Sequence, residues 1–143
     1  MAPIVKKVLA YIVQGEELLV FRHRDYPEAG LQVPAGTMEE RECSKDAVLR
    51  EVYEESGLEA VRIVRLLGRY LHDAAPYRDE VHDRHVYHLQ PAGHLALTWL
   101  HYERHPSDGG SPIAFQFFWM RLDDPGLHLA GGQGELLGRL TSG

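Results

Sequence analysis

A single cysteine, Cys43, is all the thiol that the chain carries. No disulfide can therefore close within it, no Cys pair supports a zinc site, and the usage fits a reducing compartment. Long apolar runs are missing as well. The run near the N-terminus, Val8–Val13, has six residues, too few for a signal-peptide core or for the ~20 of a spanning helix. A cytoplasmic location without a membrane partner is the resulting expectation. Positive charge is in deficit: 15 Lys and Arg face 21 Asp and Glu, a formal net charge of −6. Such a chain is poorly suited to an extended nucleic-acid surface or an anionic membrane. A small polyphosphate remains compatible, because a bound cation supplies positive charge locally. There is no repeat, low-complexity tract or linker, and the length suits one domain, 1–143, with a substantial core.

What the chain does have is concentrated in Gly36–Leu58, GTMEERECSKDAVLREVYEESGL. Gly36 is followed after five residues by Glu42, and after seven more by Arg50-Glu51, Val52, Tyr53, Glu54-Glu55, Ser56, Gly57 and Leu58. Seven of those positions are single fixed residues. At ordinary residue usages, a chance match in a chain of this length is on the order of one in ten million, so the spacing carries far more weight than the charges alone.

Ser44 reads as an N-cap, Asp46 as a first-turn acid and Gly57 as the C′ terminator of a helix of roughly three turns. At ~100° per residue, Glu51, Glu54 and Glu55 share one arc, while Val48, Leu49, Val52 and Tyr53 share another. The expectation is a helix with one packing face and one acidic face, with Ala47 leaving space above Glu51. Crowded like charges raise carboxylate pKa values, and Arg50 offsets only part of the repulsion. A hard divalent cation, Mg²⁺ or Mn²⁺, would relieve the rest.

Around this stretch the pattern reads mostly as strand: Lys6–Val13 and Glu17–Arg24 joined at Gln14-Gly15, Leu31–Val33 leading into Gly36, Ala60–His72 kinked at Gly68, Val81–Leu89, Leu95–Glu103 and Ala114–Leu122. Phe115, Phe117 and Trp119 alternate with Phe118 and Met120, which implies a strand covered on both faces rather than a base-stacking platform. Gly132–Leu140 reads as a short closing helix burying Leu136, Leu137 and Leu140. Arg22 and Arg24 at the end of the second strand are candidates for phosphate contact, since arginine forks match phosphate oxygens. Nine histidines raise the question of a metal site. However, His82 and His88 share a strand face that His85 does not, and Pro106 follows directly on the His101/His105 pair. A histidine cage is not expected.

The Gly36–Leu58 pattern is the Nudix box, and the chain resembles a Nudix hydrolase. The box covers 23 of 143 residues, and the flanking order of strands and helices suits the family across nearly the whole chain. The resemblance implies an α/β fold, an α/β/α sandwich with a mixed central β-sheet. It also implies Mg²⁺- or Mn²⁺-dependent hydrolysis of a small substrate, a nucleoside diphosphate linked to another moiety. Carried over by position, Glu51, Glu54, Glu55 and the Gly36 carbonyl resemble the metal ligands. Glu42 and Gly57 resemble residues that hold the motif, and Arg50 one that orients the acids. Glu51 is the first candidate for the base, with Glu54 beside it. Glu80, Asp83, Glu103 and Asp108 are candidates for a base outside the box, and Glu103 also joins the arginines as a candidate substrate contact. Pro34-Ala35-Gly36 stands where Pro-Gly-Gly is common, and Leu31-Gln32-Val33 where an aromatic often precedes the proline; neither departure touches the acidic face. A homodimer is compatible with the family. The alternatives are a non-catalytic nucleotide-binding module, which the full carboxylate set disfavours, and removal of the 5′ pyrophosphate from RNA, for which the acidic chain offers no track. The diphosphate isomerase branch requires a cysteine upstream of the box, and Cys43 lies inside it.

Overall fold

The computed structural model describes residues 2–103 and 110–140. Its elements are β1 (Ile4–Gln14), β2 (Glu17–His23), β3 (Ala35–Thr37), α1 (Ser44–Ser56), β4 (Val61–Asp73), β5 (Val81–Pro91), β6 (Thr98–Glu103) and β7 (Ile113–Arg121), with 3₁₀ turns at Pro27–Ala29, Ala130–Gly132 and Leu137–Leu140. The strands form one mixed sheet ordered β4-β5-β1-β2-β7-β6, and β3 is added on β1. Among the named strands β1 and β5 pair in parallel, and the other strand pairings are antiparallel.

β1 explains the division into layers. Alternate residues of VLAYIV, Val8–Val13, point to opposite faces, and both sets are apolar. Val8, Ala10 and Ile12 join Leu19, Phe21, Val48, Val52, Leu89, Phe115 and Phe117 on the α1 side. Leu9, Tyr11 and Val13 join Leu18, Val20, Val33, Val86 and Leu136 on the other. The alternation in β7 holds in the same way: Phe117 and Trp119 pack on the α1 side, and Phe118 and Met120 opposite. These aromatics are core. Trp99 stacks on Phe117 with ring centroids 5.3 Å apart.

β1 and β2 pair only near their shared turn, Val13 with Leu18 and Gln14 with Glu17. Beyond that point they part, and residues 31–37 enter between them. This wedge first exchanges backbone hydrogen bonds with Phe21 through Gln32, then bonds Ala10 through Pro34 and pairs Lys7–Leu9 as β3. The box glycine is thereby placed where the two halves of the sheet diverge.

Two expectations need correction. The closing segment is not an α-helix but a pair of 3₁₀ turns. Gly131 and Gly132 take φ of 61° and 69°, and with Gly134 and Gly138 close by, a continuous helix there is disfavoured. Leu136 is still buried, and Leu137 and Leu140 pack on the second core. Ser44 is the first helical residue rather than the cap: Cys43 holds the N-cap position, with no side-chain cap bond. The Ser44 hydroxyl instead hydrogen-bonds the Tyr87 hydroxyl. Gly57 does end the helix, in the left-handed region at φ 80°, its N–H on the Tyr53 carbonyl at 2.9 Å. Among the described residues no helix is long and apolar enough to cross a membrane.

Candidate active site

The arcs of α1 differ from those the periodicity suggests. Leu49 and Tyr53 are 37% and 52% exposed, whereas Glu51 and Glu55 are 9% exposed, between Ala47, Val48 and Val52. Two of the three acids therefore point into the molecule from the middle of the packing face. Glu54 lies at the edge of that face, and its side chain is about half exposed.

Arg50 ties the box together. Its Nε donates to Glu42 Oε2 at 2.8 Å and Nη2 to Glu42 Oε1 at 2.9 Å, a two-pronged pair. Nη2 also reaches the Thr37 carbonyl at 3.0 Å, and Nη1 donates to Glu51 Oε1 at 2.8 Å and Glu54 Oε2 at 3.2 Å. Glu42 in turn accepts the Glu39 N–H at 2.9 Å. The Arg50 bonds, helped by that N–H, hold the Glu42 carboxyl at about 2. One guanidinium thus fixes the box loop to the helix and orients two carboxylates.

The inward acids sit differently. Burial pushes Glu51 up to about 7, with Arg50 pulling against it and the charges of Glu54 and Glu103 adding to it. Burial also raises Glu55 well above the ordinary carboxylate range, against the Ala35 N–H, which donates to its Oε1 at 2.6 Å. Gly36 provides the room: a Cβ there would stand 2.0 Å from Glu51 Cδ. Only a residue without a side chain lets this carboxylate lie against the β3 backbone.

Gly36, Glu51, Glu54 and Glu55 line one cavity of about 590 Å³ together with Lys7, Thr37, Arg78, Glu80 and Glu103. Lys7 Nζ donates to Thr37 Oγ1 at 2.6 Å, and burial lowers the Lys7 pKa. The cavity has an acidic floor and two cations on its wall, the combination that a metal-bridged phosphate needs. The donors fit a hard divalent ion: oxygens only, in a recess where Glu51 and Glu55 are raised by burial and by neighbouring carboxylate charge. Among the described residues the carboxylates do not converge as a closed cage. An open set suits Mg²⁺, which keeps several waters and takes few protein ligands.

The remaining candidates are dispersed. Arg22 lays its guanidinium over the Phe118 ring at 4.9 Å, on the sheet face opposite α1. Arg24 bonds Asp25 and the Tyr102 hydroxyl. Neither lines the acidic cavity. Of the outside carboxylates, Glu80 and Glu103 line it; Asp83 is buried against Arg69 at 2.7 Å, away from it. Asp108 and His105 lie outside the described residues. His82 is bonded to Glu80 at 2.9 Å.

Sequence reasoning missed how β6 holds the end of α1. Trp99 Nε1 donates to the Ser56 carbonyl at 3.0 Å and His101 Nε2 to the Glu54 carbonyl at 2.9 Å. These supply partners for last-turn carbonyls that a helix cannot satisfy internally. Lys7 and Arg78 were missed as well. In the sequence nothing set Lys7 apart from Lys6 beside it, and nothing local marked Arg78.

A family model described as NUDIX domain matches residues 4–137. Among solved structures, a MutT NUDIX hydrolase from Burkholderia pseudomallei superposes with a TM-score of 0.67 at 24% identity, covering 96% of this chain and 98% of that one. An ADP-ribose pyrophosphatase from Streptococcus suis gives 0.59 at 24% identity, covering 94% and 87%. A UDP-X diphosphatase gives 0.64 at 21%, covering 98% of this chain and 64% of the other. At these identities the likeness is one of fold. No curated protein matches the chain.

Proposed function

The chain belongs to the Nudix hydrolase family, and from that premise we propose that it is a divalent-metal-dependent pyrophosphohydrolase. Its substrate would be a small nucleotide-derived molecule, a nucleoside diphosphate joined to another moiety, cleaved by water attack on phosphorus. The observation that carries this reading is the pair of inward acids, Glu51 and Glu55, raised by burial and opposed across one cavity by Lys7 and Arg78. An ordinary charged helix face would keep its acids in water.

Glu51, Glu54, Glu55 and the Gly36 carbonyl are the ligands for Mg²⁺ or Mn²⁺ in this reading. When bound, the ion neutralises charge developing on the phosphate oxygens and acidifies water. The chain's own groups do the rest. Glu51, held by Arg50 Nη1 at 2.8 Å, accepts the proton of the attacking water as general base. Arg50 holds Glu51 and Glu54 in register. Lys7 and Arg78 meet the non-bridging oxygens of the anhydride, a reaction in which positioning and electrostatics supply most of the acceleration.

The test is a phosphate- and nucleotide-release screen over nucleoside triphosphates, sugar nucleotides and dinucleotides, with Mg²⁺ and with Mn²⁺. Turnover that disappears with EDTA and falls by orders of magnitude in Glu54→Gln is expected. Folded protein inert toward all three classes would end the proposal.

A further inference from the structure

On the far side of Gly36 lies a second, smaller chamber of opposite character. It measures about 170 Å³ and shares Lys7, Ala35 and Gly36 with the acidic cavity, while its other polar walls are His82, Arg84 and Gln133. Among the described residues no carboxylate lines it.

Arg84 is its unusual member. The residue is only 7% exposed, and a guanidinium cannot shed its charge inside a protein. Burying such a charge is costly unless an anion pairs with it. Yet Arg84 makes no ion pair among the described residues; its bonds go from Nη1 to the Tyr70 hydroxyl at 3.1 Å and the Gly131 carbonyl at 2.7 Å. The Tyr70 ring lies 5.7 Å from the guanidinium carbon. Nε and Nη2, which form the fork that matches an oxyanion with two parallel N–H bonds, have no acceptor among the described residues. Lys7 stands at the boundary of the two cavities. Its ammonium spends one donor on Thr37 and has two more.

We infer that this chamber is an oxyanion subsite, in which Arg84 and Lys7 hold a phosphate group adjoining the anhydride that the acidic cavity cleaves. The inference rests on the pyrophosphohydrolase reading and deepens it. At about 170 Å³ the space is well below the roughly 300–1,000 Å³ of pockets for drug-sized ligands, so it takes a phosphate and not a nucleoside. Substrates with a further phosphate beyond the scissile bond, such as nucleoside triphosphates, are favoured over those that present a neutral sugar there. The same chemistry would hold the phosphate end of the departing product, pyrophosphate where the substrate is a nucleoside triphosphate.

The experiment uses the full chain in EDTA, titrated with inorganic phosphate and with pyrophosphate by calorimetry. Saturable binding is expected in the wild type, weakened at least tenfold in Arg84→Met and partly restored in Arg84→Lys, with each variant cooperatively folded. Equal binding in all three, or no binding in the wild type, overturns the subsite. Should Arg84→Met fail to fold, the wild-type Arg84 Nε–H resonance decides: it shifts on adding phosphate, or it stays in place and the subsite is wrong. With Mn²⁺, a KM increase for ATP but not for ADP-ribose in Arg84→Lys assigns the site to a substrate phosphate. Loss of pyrophosphate inhibition alone assigns it to the departing product. If the wild type binds phosphate through Arg84 but cleaves no anhydride, the hydrolase reading fails and the subsite stands. Cleavage with phosphate binding indifferent to Arg84 gives the reverse.

Discussion

Glu51→Gln should make the metal-free protein more stable while destroying its activity. Glu51 is 9% exposed, and burial moves its carboxyl from an ordinary 4.5 to about 7. The folded state therefore binds the Glu51 proton more tightly than the unfolded chain does. Stability from this group is fully present below about 4.5 and is lost as pH rises through about 7. At ~1.4 kcal/mol per pKa unit, the full swing is about 3 kcal/mol. Glutamine is close in shape to the protonated acid, so the variant and wild type should unfold at similar urea concentrations near pH 4.5. By pH 8 the variant should be ahead by about 3 kcal/mol, a melting-temperature gap on the order of 10 °C for a chain of this size. Saturating Mg²⁺ should close most of that gap, because a ligand at a hundred times its Kd stabilises the state it binds by ~2.7 kcal/mol. Urea melts at both pH values, in EDTA and in Mg²⁺, measure all of this. Parallel pH profiles for wild type and variant would refute the buried-acid account of the site.

Three further outcomes follow from the same geometry. Gly36→Ala should lower kcat/KM by about 10²-fold, the scale expected for a misplacement of about 1 Å, because its Cβ would meet Glu51 Cδ at 2.0 Å; retained activity with an intact fold would show that Glu51 need not lie there. Mg²⁺ or Mn²⁺ binding at pH 7 should release protons, since Glu51 and Glu55 are both raised and ligands must be deprotonated; calorimetry in buffers of differing ionisation enthalpy measures the number, and no release contradicts the ligand set. His101→Ala removes the bond to the Glu54 carbonyl, and a loss of about 1 kcal/mol with a several-fold drop in kcat is expected; urea melts and steady-state kinetics check both, and an unchanged kcat would relieve His101 of any positioning role.

Which parts of the site were legible in the sequence follows from distance along the chain. Gly36, Glu42, Arg50, Glu51, Glu54, Glu55 and Gly57 fall within one loop and one helix, so their spacing alone brings them together, and Arg50 does bridge Glu42, Glu51 and Glu54. The strands were legible because β1 and β7 alternate clearly. Lys7, the Arg78 and Glu80 of the β4–β5 connection, and Glu103 come from three other segments and reach the cavity through the register of β1 on β3 and β5 and of β6 on β7. A pairing register is a tertiary fact that no local pattern states. The C-terminal segment misled for a different reason. Its leucine spacing suits a helix, but glycines at positions 131, 132, 134 and 138 permit the tighter 3₁₀ turns that bring the Gln133 side chain to the Val33 N–H at 2.9 Å.

The helix arcs show where hydrophobic periodicity and function conflict. Periodicity assigns apolar residues inward, and α1 breaks that rule by turning Glu51 and Glu55 to the sheet and leaving Leu49 and Tyr53 at the surface. The rotation is tolerated because Gly36 makes room for one acid and the Ala35 N–H bonds the other, while Val48 and Val52, both fully buried, still contribute ~1.5–3 kcal/mol each. The exposed Tyr53 then lines, with Glu54, Gly57, His101, Tyr102 and Glu103, a neighbouring pocket of about 510 Å³. Glu54 and Glu103 belong to both spaces. Turning the acids inward therefore does two things at once: it raises their proton affinity, so that a bound cation favours their ionised forms, and it frees an aromatic to border the space beside them.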